Sequence, residues 1–349
     1  MAQPEAVDTR AQWIEVLATI GAGKEVPADG VRFAMDEIMS GRADEVHIAA
    51  FAHGIFAKGI TAAELHAAAD GMLSFASPPD APDAARAVDV VGTGGDGAHT
   101  VNISTMTAMV VAAAGIPVVK HGNRAASSKS GGADMLEALG IDLDTDRIVA
   151  PHHPDFSLTF IFAKNHHPAM RFAGPVRAKL GVPTVFNLLG PLTNPAQPPA
   201  SLVGCAFANQ LDTMAGAYAQ RGQQVLVVRG DDGLDEITVT GPTQVRVVHD
   251  GTVRADVIRP EDFGLESAPI DALRGGSPEH NADIARKVWS GELDGPIRDA
   301  VLLNSAAAIA ASRGVGQRPV VEAISEAMDS AREILDSGRC AEILADIVG

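Results

Sequence analysis

The residues best suited to chemistry lie between Gly97 and Ala133, a window of 37 residues without an acidic side chain. Because the formal net charge of the chain is −17, Lys120, Arg124 and Lys129 form a local cationic region. Interleaved glycines let the backbone approach a ligand closely, and serines and free N–H groups add hydrogen-bond donors. Donors, cations and glycines without carboxylates predict a phosphate or pyrophosphate ligand.

A glycine turn, Gly92-Thr93-Gly94-Gly95-Asp96, directly precedes this window. It lacks the third glycine of the dinucleotide fingerprint and the Gly-Lys-Ser/Thr ending of a P-loop, so alone it is equally compatible with a structural turn. The polar run 100–105 follows at the start of a predicted helix. Its Asn, Ser and Thr side chains could cap the helix, or they could bind a pyrophosphate and offer a hydroxyl oxygen to Mg²⁺. The two interpretations are compatible, because the helix N-terminus attracts an anion in either case.

A second group of candidate residues is the acidic run Asp231-Asp232-Gly233-Leu234-Asp235-Glu236, which follows an apolar strand at 224–228. Adjacent carboxylates at a strand end often belong only to a solvated loop. At the exit of a phosphate cleft, however, carboxylate oxygens are suitable Mg²⁺ ligands that leave positions for substrate oxygens. Most of the histidines lack partners at useful spacing. His121 differs because it lies inside the basic window.

The elements that must position these residues change type along the chain. Up to about residue 77 the apolar periodicity is helical, with one helix opened by the capping box Thr61-Ala62-Ala63-Glu64. A proline-rich linker at 77–83 follows. Beyond it, strands alternate with helices, which predicts right-handed βαβ units, a mostly parallel sheet and a ligand at the carboxyl ends of its strands. The predicted strands are 87–91, 116–119, 201–204 and 224–228, and the predicted helices are 103–114, 134–139, 168–180, 211–220, 281–290, 296–311 and 318–336.

Composition narrows the function classes. A chain of 349 residues that is 46% hydrophobic and 20% charged is globular and long enough for two domains. The net charge of −17 disfavours nucleic-acid or membrane partners. Cys205 and Cys340 lie far apart without metal-ligand spacing, which predicts buried thiols in a reducing compartment. With neither a signal peptide nor an apolar run of membrane-spanning length, the predicted location is cytoplasmic.

From about residue 92 to 308 the chain resembles the anthranilate phosphoribosyltransferase family of tryptophan biosynthesis. The segments that carry the resemblance are 92–96, 102–105, 120–140, 167–170, 175–177, 186–195 and 232–236. The resemblance implies an α/β fold with a small N-terminal helical domain plus a larger α/β domain whose central, mostly parallel sheet is flanked by helices. It implies domains at 1–80 with returning helices at about 166–197, and at 84–165 with 198–349, and a homodimer formed through the helical domain. Lys164-Asn165-His166 departs from the family pattern, where a proline and an aromatic residue are more usual.

The resemblance also implies a reaction, in which the phosphoribosyl group of phosphoribosyl pyrophosphate (PRPP) passes to the amino group of anthranilate. No residue is assigned a catalytic role beyond positioning and charge stabilisation. Ser104, Asp235 and Glu236 are implied to bind two Mg²⁺ ions per active site. Anthranilate is implied to contact Gly92, His121, Asn123 and Arg177, with Arg177 facing its carboxylate. The residues implied to bind PRPP are Gly92, Gly95, Asp96, Thr100, Asn102, Ile103, Ser104, Thr105, Lys120, His121, Gly122, Asn123, Arg124, Ala125, Ala126, Ser127, Ser128 and Gly132.

Two other functions remain open from the sequence. A pyrimidine nucleoside phosphorylase of the same fold would use phosphate and a nucleobase site, and a non-catalytic relative would bind nucleic acid. The acidic pair Asp235-Glu236 and the carboxylate-binding candidate Arg177 favour the transferase over the phosphorylase. The net charge disfavours the nucleic-acid-binding alternative.

Overall fold

The computed structural model describes residues 9–125 and 129–349. The chain begins with a group of helices whose ends have local causes. Asp44 accepts a hydrogen bond from the His47 N–H at the start of the third helix, and the capping box of Thr61 and Glu64 opens the fourth, as predicted. The helices in this region are α1 Arg10–Gly21, α2 Ala28–Met39, α3 Glu45–Ala57 and α4 Ala62–Leu73.

A single sheet forms the centre of the rest of the described chain. Its strands are β1 Val88–Gly92, β2 Val118–Gly122, β3 Arg147–Ile148, β4 Leu158–Phe162, β5 Ala200–Gly204, β6 Gln224–Gly230, β7 Thr243–His249 and β8 Thr252–Ile258. Their order across the sheet is β3-β4-β2-β1-β5-β6-β7-β8. The run from β4 to β6 is parallel, whereas β3, β7 and β8 pair antiparallel at the two sides. The predicted α/β fold with a mostly parallel sheet is therefore confirmed.

Helices cover both faces of this sheet. The helices that follow β1 along the chain are α5 Ile103–Ala113, α6 Gly132–Ala138, α7 Ala163–His166, α8 Met170–Leu180, α9 Phe186–Leu192, α10 Leu211–Gln220, α11 Pro278–Trp289, α12 Pro296–Arg313, α13 Val320–Asp336 and α14 Arg339–Val348. Of these, α5, α9, α10 and α12 contact strands of the sheet. Alternate strand residues face opposite sides, as the two-residue period of a strand requires. Val90 belongs to the core beneath α5 and α12, while the adjacent Val91 belongs to the core shared with the N-terminal helices.

The segment 168–195, which does not fit simple strand–helix alternation, packs against the N-terminal helices. The Val185 N–H donates to the Ala52 carbonyl at 3.0 Å. The ring of Phe172 lies against Gly41, where a β-carbon would clash with it. Helices α8 and α9 thus contribute Ala173, Val176, Leu188 and Leu189 to the same core as α1 to α4. The residue limits proposed for the two domains remain a prediction.

The chain passes between the N-terminal helices and the sheet at the linker 77–83 and again near His166, and these two segments are hydrogen-bonded to each other. The Ser77 N–H donates to the His166 carbonyl at 2.8 Å, and His166 Nδ1 lies 3.0 Å from the Ser77 carbonyl oxygen. His166 Nε2 lies 2.6 Å from an Asp146 carboxylate oxygen, and the other Asp146 oxygen accepts the Asp80 N–H at 2.9 Å. His166, which belongs to the segment that departs from the family pattern, therefore connects the linker to the segment that contains α8 and α9.

The two cysteines are free and buried, as predicted. Among the residues that the structure describes, no helix has the length and apolar character to cross a membrane.

Candidate active site

Three glycines mark the edge of the sheet where the candidate residues meet. Gly92, Gly122 and Gly204 end the parallel strands β1, β2 and β5, and Gly92 is directly paired with Gly204. Because the carboxyl ends of parallel strands meet at one edge, the glycine turn, the basic window and the loop after β6 converge there. The sheet thereby brings together the three segments that the sequence singled out.

Asp235 crosses the ends of β1 and β5 at very short range. Its carboxylate accepts the Gly94 N–H at 2.6 Å. A β-carbon on Gly92 would collide with this carboxylate, and one on Gly204 would collide with the Asp235 carbonyl. Both positions therefore require glycine for Asp235 to reach the glycine turn.

The neighbouring Asp232 has a different role. One of its carboxylate oxygens accepts the hydroxyls of Thr238 and Thr240, each at 2.6 Å, and the other accepts the Leu234 N–H at 3.1 Å. These bonds stabilise the loop after β6. They leave Asp235 and Glu236 as the acidic residues of the run that face the strand ends.

The surroundings of Asp235 and Glu236 disfavour the negatively charged forms of both side chains. Burial, with the nearby Asp96 carboxylate as the next cause, raises the pKa of Asp235 to about 7. Burial and the adjacent Asp235 also raise the pKa of Glu236, although Lys120 opposes that shift. Within 9–125 and 129–349, no three His, Cys, Asp or Glu side chains group closely enough to hold a metal ion alone. The carboxylates, with the nearby Ser104 hydroxyl, form an incomplete set of oxygen donors of the kind that Mg²⁺ prefers.

Lys120 lies within strand β2, although the sequence placed it in the loop that follows. Its ammonium group is buried and donates to the Val90 carbonyl at 2.5 Å and to the Ser104 hydroxyl at 3.2 Å. Burial lowers its pKa, while the negative charges of Asp89 and Glu236 oppose that effect. Lys120 therefore connects the start of α5 with the acidic pair.

Asp89 is a residue of this region that the sequence interpretation missed. It is buried, and its carboxylate accepts the His121 N–H at 3.1 Å and the Asn194 side-chain amide at 2.8 Å. Burial raises its pKa to about 6, against the opposing charge of Lys120. A lone acid inside the apolar run 87–91 was the available sequence signal. Its partner Asn194 is 105 residues away, so the contact could not be inferred from spacing.

The glycine turn and the start of α5 are shaped mainly by backbone contacts. Gly95 has a φ of +84°, which favours glycine. Asp96 accepts the Ala98 N–H at 3.1 Å. Thr100 forms an isolated backbone bridge with Arg274, and the buried Ile103 begins α5.

Asn102 occupies the position before α5, yet its side chain makes no capping hydrogen bond, so the capping interpretation is wrong. Its amide instead donates to the Ser130 carbonyl at 3.1 Å, and its oxygen accepts the Asn281 amide at 2.8 Å. Asn102 thereby ties the basic window to α11. Deeper in the helix, the Thr105 hydroxyl is buried and has no hydrogen-bond partner among the described residues. It faces Gly132, where a β-carbon would stand 2.8 Å from it.

Asp134 at the start of α6 binds the described ends of the loop after β2. One Asp134 oxygen accepts the N–H groups of Ala125 and Gly131, at 2.9 and 2.8 Å. The Asn123 side chain accepts the Arg124 N–H at 2.8 Å. The predicted ligand residues Ala126, Ser127 and Ser128 lie outside the described residues.

Arg124 is already paired with acids of α6. Its guanidinium lies 2.6 Å from Glu137 and 3.4 Å from Asp134, and it stacks over the Phe162 ring at 5.5 Å. The cationic window therefore contains one buried lysine near the acidic pair and one arginine held by neighbouring carboxylates. A role for Arg124 in ligand binding remains a prediction.

Two buried histidines lie together near the end of β2. The rings of His121 and His167 are 5.1 Å apart, and the Nε2 atom of each is buried without a hydrogen-bond partner within the described parts of the chain. Burial lowers the pKa of His121 to about 3 and that of His167 to about 4, so both rings are neutral at pH 7. His121 Nδ1 donates to the Gly190 carbonyl at 2.9 Å, which leaves Nε2 as an acceptor.

Arg177 lies on α8 and stacks over the Phe186 ring, with its guanidinium carbon 5.5 Å from the ring centre. Across residues 9–125 and 129–349, no carboxylate lies within ion-pairing distance of it, and burial lowers its pKa. Phe186 begins α9, the helix whose Gly190 carbonyl holds His121. Arg177 and His121 are therefore positioned by the same helix.

Comparison with known proteins gives the family. The helical bundle domain of a glycosyl transferase family matches residues 14–76, and its a/b domain matches residues 84–341. An anthranilate phosphoribosyltransferase from Corynebacterium jeikeium is 53% identical over 97% of this chain and 92% of its own length. The solved anthranilate phosphoribosyltransferase of Thermus thermophilus has a TM-score of 0.84 and 39% identity, over 95% of this chain and 98% of that one. The Saccharomyces cerevisiae enzyme, solved with PRPP and Mg, has a TM-score of 0.83 and 27% identity over 97% of each chain. The chain belongs to the anthranilate phosphoribosyltransferase family.

Proposed function

We propose that the protein transfers the phosphoribosyl group of PRPP to the amino group of anthranilate, releasing pyrophosphate and forming N-(5-phosphoribosyl)anthranilate. The observation that carries this proposal is the acidic pair Asp235-Glu236 held across the ends of β1 and β5, beside Lys120 and Ser104. Membership of the family supports the same reaction and favours neither the phosphorylase nor the nucleic-acid-binding alternative.

PRPP would bind along the glycine turn and the loop after β2. Gly95, Asp96 and the start of α5 offer backbone N–H groups and the positive end of a helix, which stabilise an anion. Lys120 places a positive charge at the same edge and fixes the Ser104 hydroxyl. As the bond from ribose C1 to the leaving oxygen breaks, these groups stabilise the charge that develops on pyrophosphate.

The donor set present is suited to Mg²⁺. Asp235, Glu236 and Ser104 supply hard oxygen atoms. The pKa values of the two acids are raised first by burial and then by neighbouring carboxylates, Asp96 for Asp235 and Asp235 for Glu236, and a divalent cation would offset both effects. When bound, Mg²⁺ would neutralise the pyrophosphate oxygens and favour their departure. We propose two ions per site, because a diphosphate carries more negative charge than one divalent cation neutralises.

Anthranilate would bind between Arg177 and His121. Among the residues that the structure describes, no carboxylate pairs with the Arg177 guanidinium, which stacks on Phe186, so it is available for the substrate carboxylate. The neutral His121 Nε2 would accept a hydrogen bond from the amino group. The aniline nitrogen already carries its lone pair at pH 7, so holding it against C1 of the ribose supplies most of what the attack requires.

A direct assay tests the function. Purified protein, PRPP, Mg²⁺ and anthranilate are mixed, and the loss of anthranilate fluorescence is followed. We expect a loss that requires both PRPP and Mg²⁺. Phosphorolysis of thymidine, with no fluorescence loss in the first assay, would instead identify the protein as a nucleoside phosphorylase.

We also propose a homodimer formed through the N-terminal helices. Ile14 on α1 and Val46 on α3, at 58% and 74%, are the two most exposed large apolar side chains among the described residues, which supports a contact surface there. Light scattering should give twice the mass of one chain for the wild type and the mass of one chain for Val46→Asp. Val257→Asp, at a partly exposed position on β8, is the matched control and should remain dimeric. A monomeric wild type would contradict the proposal.

A further inference from the structure

A second cavity lies at the opposite edge of the sheet from the candidate active site. It has a volume of about 650 Å³ and is bounded by the segments that lead into β2 and β4 and by the end of α5. Ala113, Pro117, Ile148, Phe156 and Leu158 give it apolar walls. Its volume is within the range of roughly 300–1,000 Å³ that is typical of small-molecule sites.

The charged residues of this cavity divide into satisfied and unsatisfied groups. Arg86 pairs with Asp83 at 2.8 Å, and Asp83 also accepts the Ser157 hydroxyl at 2.6 Å. Arg147 and Arg339 also line the cavity. Within the described ranges, neither of them has a carboxylate within 4 Å, and the Arg339 Nε atom is buried without a hydrogen-bond partner.

Acidic side chains are plentiful in a chain with a net charge of −17, yet none of those that the structure describes pairs with Arg147 or Arg339. Burying an arginine N–H without an acceptor is unfavourable, so an acceptor from a ligand would stabilise Arg339. Arg339 is also the first residue of α14, a helix of ten residues, and the positive end of that helix adds to the potential. The charges and the apolar walls together define an amphipathic anion site.

A neighbouring cavity of about 440 Å³ shares Arg339 but is also lined by Glu333 and Glu342. Together with Asp155, which lines both cavities, these carboxylates outnumber Arg339 and would repel an anion. In the larger cavity, by contrast, three arginines (Arg86, Arg147 and Arg339) face two carboxylates, Asp83 and Asp155. The cavity with Arg147 is therefore the one in which a negative ligand is stabilised.

We infer that the cavity between α5, β4 and α14 binds a small organic carboxylate. The carboxylate group would pair with Arg147 and Arg339, and the apolar body would contact Pro117, Phe156 and Leu158. The site is separate from the proposed transferase site, since it lies where the strands begin and not where they end.

Hexanoate and hexan-1-ol provide probes with the same apolar chain, with and without the charge. Binding of each is measured by ligand-observed NMR titration of the full chain at low ionic strength. We expect saturable binding of hexanoate and at least ten-fold weaker binding of hexan-1-ol. Arg147→Ala with Arg339→Ala should weaken hexanoate binding at least ten-fold, since both charge-assisted hydrogen bonds are lost.

Two control variants make the result specific. Arg313→Ala with Arg332→Ala removes the same charge outside the cavity and should bind hexanoate as the wild type does, and the melting temperatures of both double variants establish that they are folded. Arg177→Ala should also retain hexanoate binding. The proposal is overturned if the wild type does not bind hexanoate saturably, if both double variants bind it equally, or if Arg177→Ala abolishes binding.

Discussion

Two regions of the molecule bury carboxylates in opposite ways. In the N-terminal helices, Glu64 is fully buried and accepts hydrogen bonds from Lys58 and from the N–H groups of Val26 and Thr61, at 2.7, 2.7 and 2.9 Å. At the end of the sheet, Asp235 accepts the Gly94 N–H but faces other carboxylates, and burial with their charge raises its pKa to about 7.

Burial of a carboxylate therefore does not by itself indicate what the carboxylate does. A buried acid with a cationic partner and backbone donors stabilises the fold, whereas an acid crowded by like charges costs free energy until a cation arrives. Neutralising the two sites should therefore have opposite consequences. Glu64 should stabilise the fold without affecting the reaction, whereas Asp235 and Glu236 should serve the reaction and, without metal, should contribute no stability or lower it.

The largest effect is expected at the acidic pair. Asp235→Asn with Glu236→Gln should lower Mg²⁺-dependent turnover by roughly a hundred- to a thousand-fold, because the carboxylates proposed to hold the cation are lost. The melting temperature without metal should be unchanged or higher, since two crowded charges are removed. Near-wild-type turnover at low Mg²⁺ would show that the proposed metal ligands are wrong.

Glu64→Gln should lower the free energy of unfolding by about 3–5 kcal/mol, because it leaves the buried Lys58 ammonium without its partner. Urea denaturation measures this change, and the activity per folded molecule should stay at the wild-type level. Asp29→Asn is the control, since the Asp29–Arg32 pair is exposed and should contribute less than about 1 kcal/mol. Equal free energies of unfolding for Glu64→Gln and Asp29→Asn would contradict the stabilising role assigned to the buried Glu64.

Arg177→Ala should raise the KM for anthranilate about ten-fold or more, while the KM for PRPP changes little. A charge-assisted hydrogen bond to a carboxylate contributes about 1.5–3 kcal/mol. Arg171→Ala provides a matched control on the same helix, because Arg171 also stacks on a phenylalanine, Phe172, at 4.6 Å. Similar losses for both substrates would point to a structural role for Arg177.

The smallest effect concerns pH. Asp235 has a pKa of about 7 in the folded protein, above its ordinary value of 3.8, so the folded state retains a proton that the unfolded state loses between about pH 4 and 7. The wild type should therefore lose stability relative to the Asp235→Asn, Glu236→Gln variant as the pH rises through this window, by up to about 1.4 kcal/mol per pH unit from Asp235, to which the raised pKa of Glu236 adds in the same direction. The measurement is the difference between their unfolding free energies in EDTA.

His121 and His167, whose pKa values are lowered, act in the opposite direction but are present in both proteins and cancel in this difference. A difference that does not change with pH would mean that Asp235 is not crowded as described.

Local sequence patterns predicted much of the framework because helix periodicity and capping act over a few residues. Helix α10 has the predicted limits, and the Thr61–Glu64 capping box is present. Strand β4 was not predicted, since its apolar run at 158–162 lacks alternation and does not distinguish a strand from a helix. The β7–β8 hairpin was also missed, although Asp250-Gly251 between the strands, both with positive φ, is a recognisable turn signal.

The candidate site was predictable in composition but not in contacts. Its glycines, Lys120 and the acidic pair were identified from residue type. The environment of Lys120 was not, because it depends on Asp89 and on Asn194, which approach it only after the sheet and α9 have formed. Asn102 illustrates the same limit, since its partner Asn281 is 179 residues away.

The return of α8 and α9 to the N-terminal helices has a consequence for synthesis of the chain. The apolar faces of α1 to α4 remain without Ala173, Val176, Leu188 and Leu189 until roughly 120 further residues have left the ribosome. At about 5–20 residues per second, this interval lasts roughly 6 to 24 s. The core of α1 to α4 is therefore completed several seconds after these helices are synthesised. A chaperone that covers apolar surface would act during that interval.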